Sequence, residues 1–419
     1  MQKDVNKVPK LRFKEFSEDW KIEPIGNYID LLSGHAFKGD DISEDEAGTR
    51  ILRGINITEG YIRHDVNIDR YYKGDISKFK KIILEVDDLV LGMDGSKVGK
   101  NVALITDKDK GSLLIQRVAR IRANRLSDIR YIYQHIFSSK FHRYVDVVNT
   151  SSGIPHISSK QIKEFKIGFP SLKEQKKIAS FLSSVDTKLN LLQQKKDHLT
   201  HYKKGVMQQI FSQQLRFKDV DGNEFPKWEE KRLKDVGEFK NGINKDKKDF
   251  GFGFPFINLM DVFGKPTISD LDLDLVNVND KELELYELKK GDVLFIRSSV
   301  KQSGVGETSV VLRDLKNTVY SGFLIRFRDN KIKIDLNYKK YCFSSKSFRN
   351  NLISLSTTSA NTNINQESLN KLKIQLPSLK EQTKIATFLS AIDNKIALVA
   401  TQIENTQQFK KGLLQQMFV

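Results

Sequence analysis

The chain has 419 residues, of which 39% are hydrophobic and 29% are charged, so it can form two or three domains with apolar cores and is unlike a disordered polymer. Its single cysteine, Cys342, excludes an internal disulfide and a cysteine-based zinc cluster and predicts a reducing compartment. The N-terminus is charged and no apolar run approaches the roughly 20 residues that cross a membrane, so we expect a cytoplasmic protein with no membrane contact.

The formal net charge of +17 is the strongest feature of the composition. Positive charge spread over folded segments favours a polyanionic partner, most commonly DNA or RNA, because basic side chains neutralise phosphates and release counterions. A lysine-rich surface that serves only solubility is the alternative. Charge alone favours the nucleic acid without excluding that alternative.

Residues 1–169 are predicted to form a globular domain of mixed strands and helix. Short apolar runs predict strands near residues 50–57, 81–84, 88–92, 102–106 and 116–122. A helix is predicted near residues 128–147, and a loop of small polar residues follows it. The order of the strands cannot be deduced from these patterns, so we assign the domain to the α/β or α+β class.

Residues 170–211 form the first of two predicted long helices. Ser171 and Glu174 have the S-x-x-E spacing of a capping box, in which each side chain bonds a free backbone N–H of the helix start. Apolar residues then recur at alternating steps of four and three, the spacing of a coiled-coil seam. The first seam contains Ile178, Leu182, Val185, Leu189 and Leu192.

Residues 212–376 repeat the organisation of the first domain. Asp-Val-Leu-Phe at 292–295 corresponds to Asp-Leu-Val-Leu at 88–91, and a polar loop follows each of them. CFSSK at 342–346 likewise corresponds to IFSSK at 136–140. Because the similarity extends beyond the helices, we interpret the chain as a tandem duplication of a globular domain followed by a long helix.

Residues 377–419 contain the second long helix. Residues 170–211 and 377–418 align without a gap, and 21 of the 42 paired positions are identical. The second seam contains Ile385, Leu389, Ile392, Ile396 and Val399. Lys196, Lys203, Thr406 and Lys410 interrupt the two seams, which predicts wetter and looser packing toward the far end of the pair.

The order of the segments predicts how the helices pack. The first helix leads from one domain to the other, so the second can pack on it only by running back, as an antiparallel coiled coil. The two domains would then lie at opposite ends of a bar of roughly 60 Å, far enough apart to reach two DNA half-sites. LRFK at 215–218 directly follows the first helix, so we expect LRFK at 11–14 to take the equivalent place beside the C-terminus.

No catalytic or metal site stands out in the sequence. The loop 95–101 fails as a phosphate-binding loop, because its two glycines are one residue too close and Asn101 replaces the magnesium-binding Ser or Thr. The seven histidines show no metal-ligand spacing. A nuclease set could be drawn only from common residues: Glu287, Lys289, Asp270, Asp274 and Asp280. We therefore expect no catalytic residue, metal or cofactor in this chain.

Polar loops in both domains are suited to contacting DNA, because Arg, Lys, Asn, Gln and Ser pair with base edges or phosphates. The candidates in the first domain are Lys38, Arg53, Asn56, Ser96, Lys97, Lys100, His156, Ser158 and Lys160. The candidates in the second domain are Asn244, Lys245, Lys247, Asn258, Arg297, Ser299, Lys301, Thr358, Asn361 and Asn363. A single residue of this kind is more often simply a solvated loop residue, but as a set some are expected to touch DNA.

The duplicated helices resemble the specificity subunit of type I restriction-modification systems. The resemblance spans the whole chain and rests on P-S-L-K-E-Q-x-K-I-A-x-F-L-S-x-(V/I)-D-x-K at 170 and 377 and on K-K-G-x-x-Q-Q-x-F at 203 and 410. It implies that residues 1–169 and 212–376 are target recognition domains, each reading one half of a bipartite asymmetric DNA site. The helices 170–211 and 377–419 would set the gap between the halves.

The same resemblance implies the partners. Two modification subunits would dock on the helices and methylate adenine N6 with S-adenosylmethionine, and restriction subunits would use ATP and magnesium to translocate and cut DNA. This chain would supply recognition of double-stranded DNA and no catalysis.

Other interpretations remain open at this point. A stand-alone DNA-binding regulator would use the same domains without methyltransferase partners. An enzyme with unrecognised motifs, or a coiled-coil scaffold without nucleic acid, would also fit parts of the pattern.

Overall fold

The computed structural model describes residues 8–149, 154–268, 272–358 and 360–419. The chain forms two compact units: the first consists of Met1–Gln193 and Gln402–Val419, and the second of Gln194–Thr401. In the described ranges, no helix combines the length and the apolar character needed to cross a membrane.

The described part of the first unit contains short strands, three complete helices, the first part of a long helix that continues into the second unit, and the end of the C-terminal helix. The strands are β1 (Lys21–Pro24), β2 (Ile29–Ser33), β3 (Ile42–Ser43), β4 (Thr49–Leu52), β5 (Arg70–Tyr72), β6 (Leu89–Gly92), β7 (Val102–Leu104), β8 (Leu113–Leu114), β9 (Val118–Ala123) and β10 (Lys166–Phe169). The helices are α1 (Ile129–Ile136), α2 (Ser139–Val148), α3 (Ser159–Glu164) and α4 (Leu172–Phe211).

Two four-stranded sheets form the body of the first unit, in the orders β2-β9-β6-β7 and β3-β5-β4-β8. Strand β6 is buried along its whole length because each of its faces supports a different core. Leu89 and Leu91 point into the cluster that contains the helices, and Val90 points into the cluster shared with the second sheet. This two-sided burial explains the continuous apolar run of Asp-Leu-Val-Leu.

Two predictions of local structure in this unit were wrong. In the segment predicted as a strand at 81–84, the first two residues end a 3-10 helix, Ser77–Ile82, and Ile83 makes only an isolated bridge to Leu113. The helix predicted at 128–147 is two helices, because Ser138 caps the start of α2 by accepting a hydrogen bond from the Phe141 N–H. Asp128 caps the start of α1 in the same way. The segment IFSSK at 136–140 therefore contains the last residue of α1 and the first residues of α2.

The second unit repeats this plan with more strands. They are β11 (Glu229–Arg232), β12 (Glu238–Asn241), β13 (Phe250–Ile257), β14 (Thr267–Ile268), β15 (Asp274–Val276), β16 (Val293–Ile296), β17 (Ser298–Ser299), β18 (Thr308–Val311), β19 (Val319–Tyr320), β20 (Leu324–Arg328), β21 (Thr357–Thr358), β22 (Thr362–Asn363) and β23 (Lys373–Leu376). The helices are α5 (Leu233–Val236), α6 (Leu259–Val262), α7 (Asp280–Tyr286), α8 (Leu336–Cys342), α9 (Lys346–Ser354), α10 (Gln366–Lys371) and α11 (Leu379–Met417).

The main sheet of the second unit has the order β12-β20-β16-β18-β14, and smaller sheets have the orders β15-β13-β19 and β17-β22-β21. Strand β16 is buried on both faces, as β6 is in the first unit. The aspartate that precedes each of these strands is also equivalent. Arg122 binds Asp88 with two N–H groups, and Arg328 binds Asp292 with two, so each buried carboxylate is neutralised.

The two long helices pack together in antiparallel orientation. In the first unit, Leu182 near the start of α4 shares a core with Leu413 and Met417 at the end of α11. In the second unit, the end of α4 shares a core with the start of α11, through Ile210 and Leu389. The predicted antiparallel coiled coil is therefore confirmed.

Most predicted seam residues are buried. Ile178, Leu182, Val185, Ile385, Leu389, Ile392 and Val399 are buried, whereas Leu189, Leu192 and Ile396 are half-buried. The expectation of loose packing at the interruptions was wrong for Thr406 and Lys410, which are only 8% and 7% exposed. Lys410 bonds Asp186 at 2.6 Å, and Lys203 bonds Asp393 at 2.6 Å, so the lysines are seam residues with charged partners.

At the start of each long helix, only one of the two hydrogen bonds of the predicted capping box forms. The Glu174 N–H bonds the Ser171 hydroxyl, as predicted. The Glu174 carboxylate, however, accepts two hydrogen bonds from Arg12, at 2.8 and 2.9 Å. The N–H of Leu11 also bonds the carbonyl of Gln416, which places LRFK of 11–14 beside the C-terminal helix as predicted.

We predict that Asp393→Asn makes the second unit less sensitive to acid. Partial burial acts to raise the pKa of Asp393, but hydrogen bonds from Lys203, Lys340 and Tyr341 outweigh it and hold the pKa below its usual range. A carboxylate with a lowered pKa stabilises the fold above its unfolded pKa of about 4, and this stabilisation is lost as the pH falls further. The variant should be about 2 kcal/mol less stable at pH 7.

The measurement is the urea midpoint of the full chain at pH 7 and at pH 3. The difference between variant and wild type should shrink at pH 3, because the carboxyl is then mostly protonated in the unfolded wild-type chain and the charged form in the folded state contributes less stability. Asp221→Asn, at an exposed aspartate, is the control and should show no difference at either pH. A difference of equal size at both pH values would contradict the prediction.

Candidate nucleic-acid interface

Four loops of the first unit meet at one edge of the sheet β2-β9-β6-β7. We call residues 34–36, 93–97, 115–117 and 156–160 the first loop patch. Backbone hydrogen bonds connect its members: Gln116 N–H to His35, Met93 N–H to Arg117 and Ile157 N–H to Met93. Because main-chain atoms make these bonds, the loops are held together whatever their side chains are.

An equivalent set of loops meets in the second unit. We call residues 242–244, 297–301, 321–323 and 357–363, as far as they are described, the second loop patch. The Gly322 N–H bonds the carbonyl of Ile243, and the Arg297 N–H bonds that of Phe323. The strands β17, β22 and β21 extend this patch as a small antiparallel sheet.

A glycine permits the closest approach in each patch. A Cβ added to Gly34 would lie 2.1 Å from the carbonyl oxygen of Ile115, and one added to Gly242 would lie 2.1 Å from that of Ser321. No side chain fits at such a distance, so both positions need glycine. The same requirement at equivalent positions shows that the two patches share one backbone design.

The first loop patch contains five of the nine candidates predicted in the first domain. Ser96, Lys97, His156 and Lys160 are exposed, and Ser158 is half-buried because its hydroxyl caps helix α3. Lys97 carries an ion pair with Glu59 at 3.0 Å, in which both side chains remain about half exposed. Lys100 is half-buried just beyond the patch.

The other candidates of the first domain lie near the second sheet. Lys38 is exposed before a short 3-10 helix, Gly39–Asp41, and Arg53 is half-buried with a hydrogen bond to the carbonyl of Ile68. Asn56 is fully buried, and its amide bonds the carboxylate of Asp69 at 2.7 Å. The structure therefore corrects the prediction for Asn56, which stabilises a loop and cannot reach DNA from inside the core.

The second loop patch contains most candidates predicted in the second domain. Asn244, Arg297, Lys301, Thr358 and Asn361 are exposed, and Ser299 and Asn363 are half-buried in β17 and β22. Three others flank strand β13. Lys247 is exposed before it, Asn258 caps α6 after it, and Lys245 bonds Glu282 at 2.8 Å.

Lys245 is engaged within the fold. Its side chain is only 14% exposed, and its hydrogen bond is the main reason that the pKa of Glu282 lies below its usual range. A lysine committed to a carboxylate in this way has less freedom to bind a phosphate than the exposed Lys247 or Lys301. Lys245 is therefore the weakest DNA-contact candidate among the lysines of this domain.

Sequence reasoning missed three residues at the centres of the patches. Gln116 and Arg117 occupy the turn before β9, and Phe323 occupies the turn before β20; all three are exposed. Gln116 and Arg117 were missed because residues 116–122 were predicted as a strand, whereas β9 begins at Val118. The available signal was the pair of adjacent polar residues that precedes the strand residues 118–123.

Two of the residues considered for a nuclease, Glu287 and Lys289, have structural contacts. Glu287 accepts a hydrogen bond from the Asn317 N–H, and the Lys289 N–H bonds Asp292, so both belong to the frame around β16. Asp270 lies outside the described residues. In the part of the chain that the structure describes, no group of three His, Cys, Asp or Glu residues could hold a metal ion.

Comparison with known proteins agrees with this geometry. The family described as type I restriction modification DNA specificity domain matches the chain twice, at residues 17–201 and 226–407. The specificity subunit of the type I restriction enzyme MjaVIII from Methanocaldococcus jannaschii is 28% identical over 414 residues, which cover 95% of this chain and 91% of that protein.

Two solved structures share the fold. The S subunit of a type I restriction-modification system from M. genitalium has a TM-score of 0.58 and 16% identity, covering 98% of this chain and 99% of its own. A structure described as the basis of complex assembly and conformational transition of the type I R-M system has a TM-score of 0.57 and 16% identity, covering 94% and 96%.

The two family matches coincide with the two duplicated domains and together cover most of the chain. The chain therefore belongs to the family of DNA specificity domains of type I restriction-modification systems, carries two of them in tandem, and serves sequence recognition rather than catalysis.

Proposed function

We propose that this chain is the recognition subunit of a complex in which each globular domain reads one half of a bipartite, asymmetric double-stranded DNA site. The observation that carries the proposal is the pair of loop patches. Their backbones are joined by equivalent hydrogen bonds, but their side chains differ. Equivalent frames with different side chains are what two unlike half-sites require.

In and around the two patches, the candidates divide by what they can contact. The exposed lysines Lys38, Lys160, Lys247 and Lys301 suit phosphates, which position the domain on DNA without reading sequence. The exposed Asn244, Arg297 and His156 carry donors that match base edges in the major groove. Together with the net charge of +17, these residues favour salt-dependent DNA binding.

The long helices present apolar side chains to solvent at equivalent positions. Leu191 and Leu398 are aligned in the duplication, and they are 59% and 61% exposed. Tyr202 and Phe409 are also aligned and are 54% and 55% exposed. Large apolar residues outside the seam mark a partner surface, and their repetition indicates that the same partner binds twice.

Two modification subunits are the partners that this repetition fits. A protein of the same fold is described in a structure of complex assembly in the type I R-M system. Methylation of adenine N6 would take place in those subunits with S-adenosylmethionine, and restriction subunits would supply the steps that depend on ATP and magnesium. This chain then needs no cofactor, and it would act in the cytoplasm on host DNA.

Recognition and chemistry would be coupled through the target base. A methyltransferase must take an adenine out of the base stack before it can reach N6. The loop patches would hold the surrounding base pairs while a docked modification subunit extracts the adenine. The part played by this chain is therefore to choose the site and hold it in register.

We predict that deletion of this gene removes adenine methylation from one split DNA motif. Long-read sequencing that detects methylated adenine should show a motif with two unlike halves and a fixed gap in the wild-type host, and none in the deletion strain. Replacing residues 1–169 with the corresponding domain of another specificity subunit should change one half of the motif only.

Complementation with the unchanged gene is the control and should restore the motif. If no methylated motif depends on this gene, the methylating partnership is contradicted. Sequence-specific binding by the isolated chain would then favour a stand-alone DNA-binding regulator.

We predict that charged substitutions on the exposed helix surface release modification subunits one at a time. Leu191→Asp should remove one of two bound copies, Leu398→Asp the other, and the double variant both, because a carboxylate cannot be buried in an apolar interface without a partner. The measurement is the mass of the complex after co-expression and purification.

Val220→Asp, at a position that is 94% exposed and outside the long helices, is the matched control and should retain both copies. The circular dichroism spectrum of each variant should equal that of the wild type. Retention of both copies by the double variant would contradict the proposed docking surface.

A further inference from the structure

The tips of the two loop patches differ at positions that the backbone makes equivalent. The Gln116 N–H bonds the carbonyl of His35, and the Gly322 N–H bonds that of Ile243 in the same way. The next residue is Arg117 in the first patch and Phe323 in the second, and the carbonyl of each accepts the N–H at the end of the buried strand opposite. Arg117 and Phe323 therefore occupy the same place.

Arg117 is held in a defined direction. Its φ of 62° belongs to the left-handed region, so its side chain leaves the turn at an angle that the neighbouring strand residues do not share. One guanidinium N–H bonds Asp94 at 3.1 Å, and the side chain is still 62% exposed. Its other N–H groups make no hydrogen bond within the part of the chain that the structure describes.

This arrangement suits recognition of guanine. A guanidinium with one edge fixed by a carboxylate keeps its other donors free in a set orientation. Two such donors match the O6 and N7 acceptors of guanine in the major groove, the commonest specific contact of arginine with DNA. The same charge would be satisfied by a phosphate, but a phosphate contact needs no fixed orientation and reads no sequence.

Phe323 presents an apolar surface where Arg117 presents a charge. It is 58% exposed, and its ring makes no aromatic contact within the described residues. Its backbone is nevertheless fixed, because its N–H bonds the Ser321 hydroxyl and its carbonyl accepts the Arg297 N–H. An exposed phenyl ring on a fixed backbone, at the centre of a loop patch, offers an apolar surface that a base can contact.

A side-chain amide lies close to each tip residue in the chain or in space, but a different loop supplies it in each patch. In the second patch the Asn244 side chain lies against Gly322, so closely that a Cβ on Gly322 would be 1.9 Å from its Oδ1. In the first patch the amide belongs to Gln116, at the position of Gly322, and Ala36 stands where Asn244 would be. Each domain thus places one amide, the usual partner of adenine, beside its tip residue.

We propose that Arg117 and Phe323 are specificity-determining residues that read base edges directly. Arg117 contacts a guanine in the half-site of the first domain, and Phe323 packs against the methyl group of a thymine in the half-site of the second. This inference rests on the proposed function, and it adds which bases the two domains require and which side chains require them.

The test uses the full chain expressed with its modification partners in a host without adenine methylation, and the readout is the methylated motif found by long-read sequencing. Arg117→Ala should leave the second half of the motif unchanged and relax one guanine position of the first half, with discrimination at that position falling about tenfold or more. Phe323→Ala should relax one thymine position of the second half and leave the first unchanged.

The chain offers a matched control for each variant. Arg130 is also an exposed arginine of the first domain with a 3.1 Å bond to an aspartate, Asp87, but it lies outside the patch. Leu285 is an exposed apolar residue of the second domain, on α7. Arg130→Ala and Leu285→Ala should therefore leave both halves of the motif unchanged.

The outcomes separate the inference from the proposed function. If the wild type methylates a split motif and Arg117→Ala or Phe323→Ala changes the extent of methylation evenly or not at all, base reading by that residue is overturned. If Arg117→Ala abolishes methylation, Arg117→Gln decides, because an amide does not match the two guanine acceptors: a relaxed or altered guanine position supports the inference, and an unchanged motif overturns it. If the wild type methylates no split motif, the proposed function fails, and the inference falls with it.

Discussion

In each unit of this protein, a buried ion pair at the start of a long helix binds together segments that are distant in the chain. Arg12 binds Glu174 with two N–H groups, and Arg216 binds Glu381 with two, although the second pair is slightly longer. The two glutamate side chains are 1% and 0% exposed. Loss of either arginine would leave an unpaired carboxylate in the core, which costs about 3–5 kcal/mol.

These pairs connect parts of the chain that are far apart in sequence. Arg12 and Glu174 are separated by 162 residues, and Arg216 and Glu381 by 165. In the second unit the segment that carries the arginine directly follows α4, and the N–H of Leu215 bonds the carbonyl of Gln209. In the first unit the N–H of Leu11 bonds Gln416 equivalently, so the N-terminal segment completes a unit whose last helix is the C-terminal one.

The sequence was sufficient to predict the features that depend on periodicity and repetition. The long helices, their seams, their antiparallel packing and the buried strands after Asp88 and Asp292 followed from spacing and from the duplication. The sequence was not sufficient where a residue far away in the chain determines which hydrogen bond forms. The spacing of Ser171 and Glu174 predicted a local capping box, but Arg12 takes the carboxylate, and no local pattern records that competition.

The interface could be predicted only in part, for a related reason. Polar loops were identifiable, and most of the candidates lie in the two patches. The sequence does not show which of them are buried. Asn56 is a residue type suited to DNA contact, but it is enclosed by Asp69 and the loop around it. Arg117 and Phe323 were overlooked because the turn that exposes them is defined by hydrogen bonds to another loop.

If the patches read DNA as proposed above, their construction explains how one fold can read unlike sequences. Main-chain hydrogen bonds and the close approach at Gly34 and Gly242 determine where each loop lies, and neither depends on the tip side chains. A substitution at position 117 or 323 therefore changes the chemistry offered to a base without moving the frame. The seam of the long helices has the opposite constraint, because Lys410 and Lys203 are matched to Asp186 and Asp393 and cannot change alone. The tip side chains are therefore free to vary, whereas the helix side chains are tied in pairs. This is the arrangement expected if the DNA sequence changes between relatives and the helix partner does not.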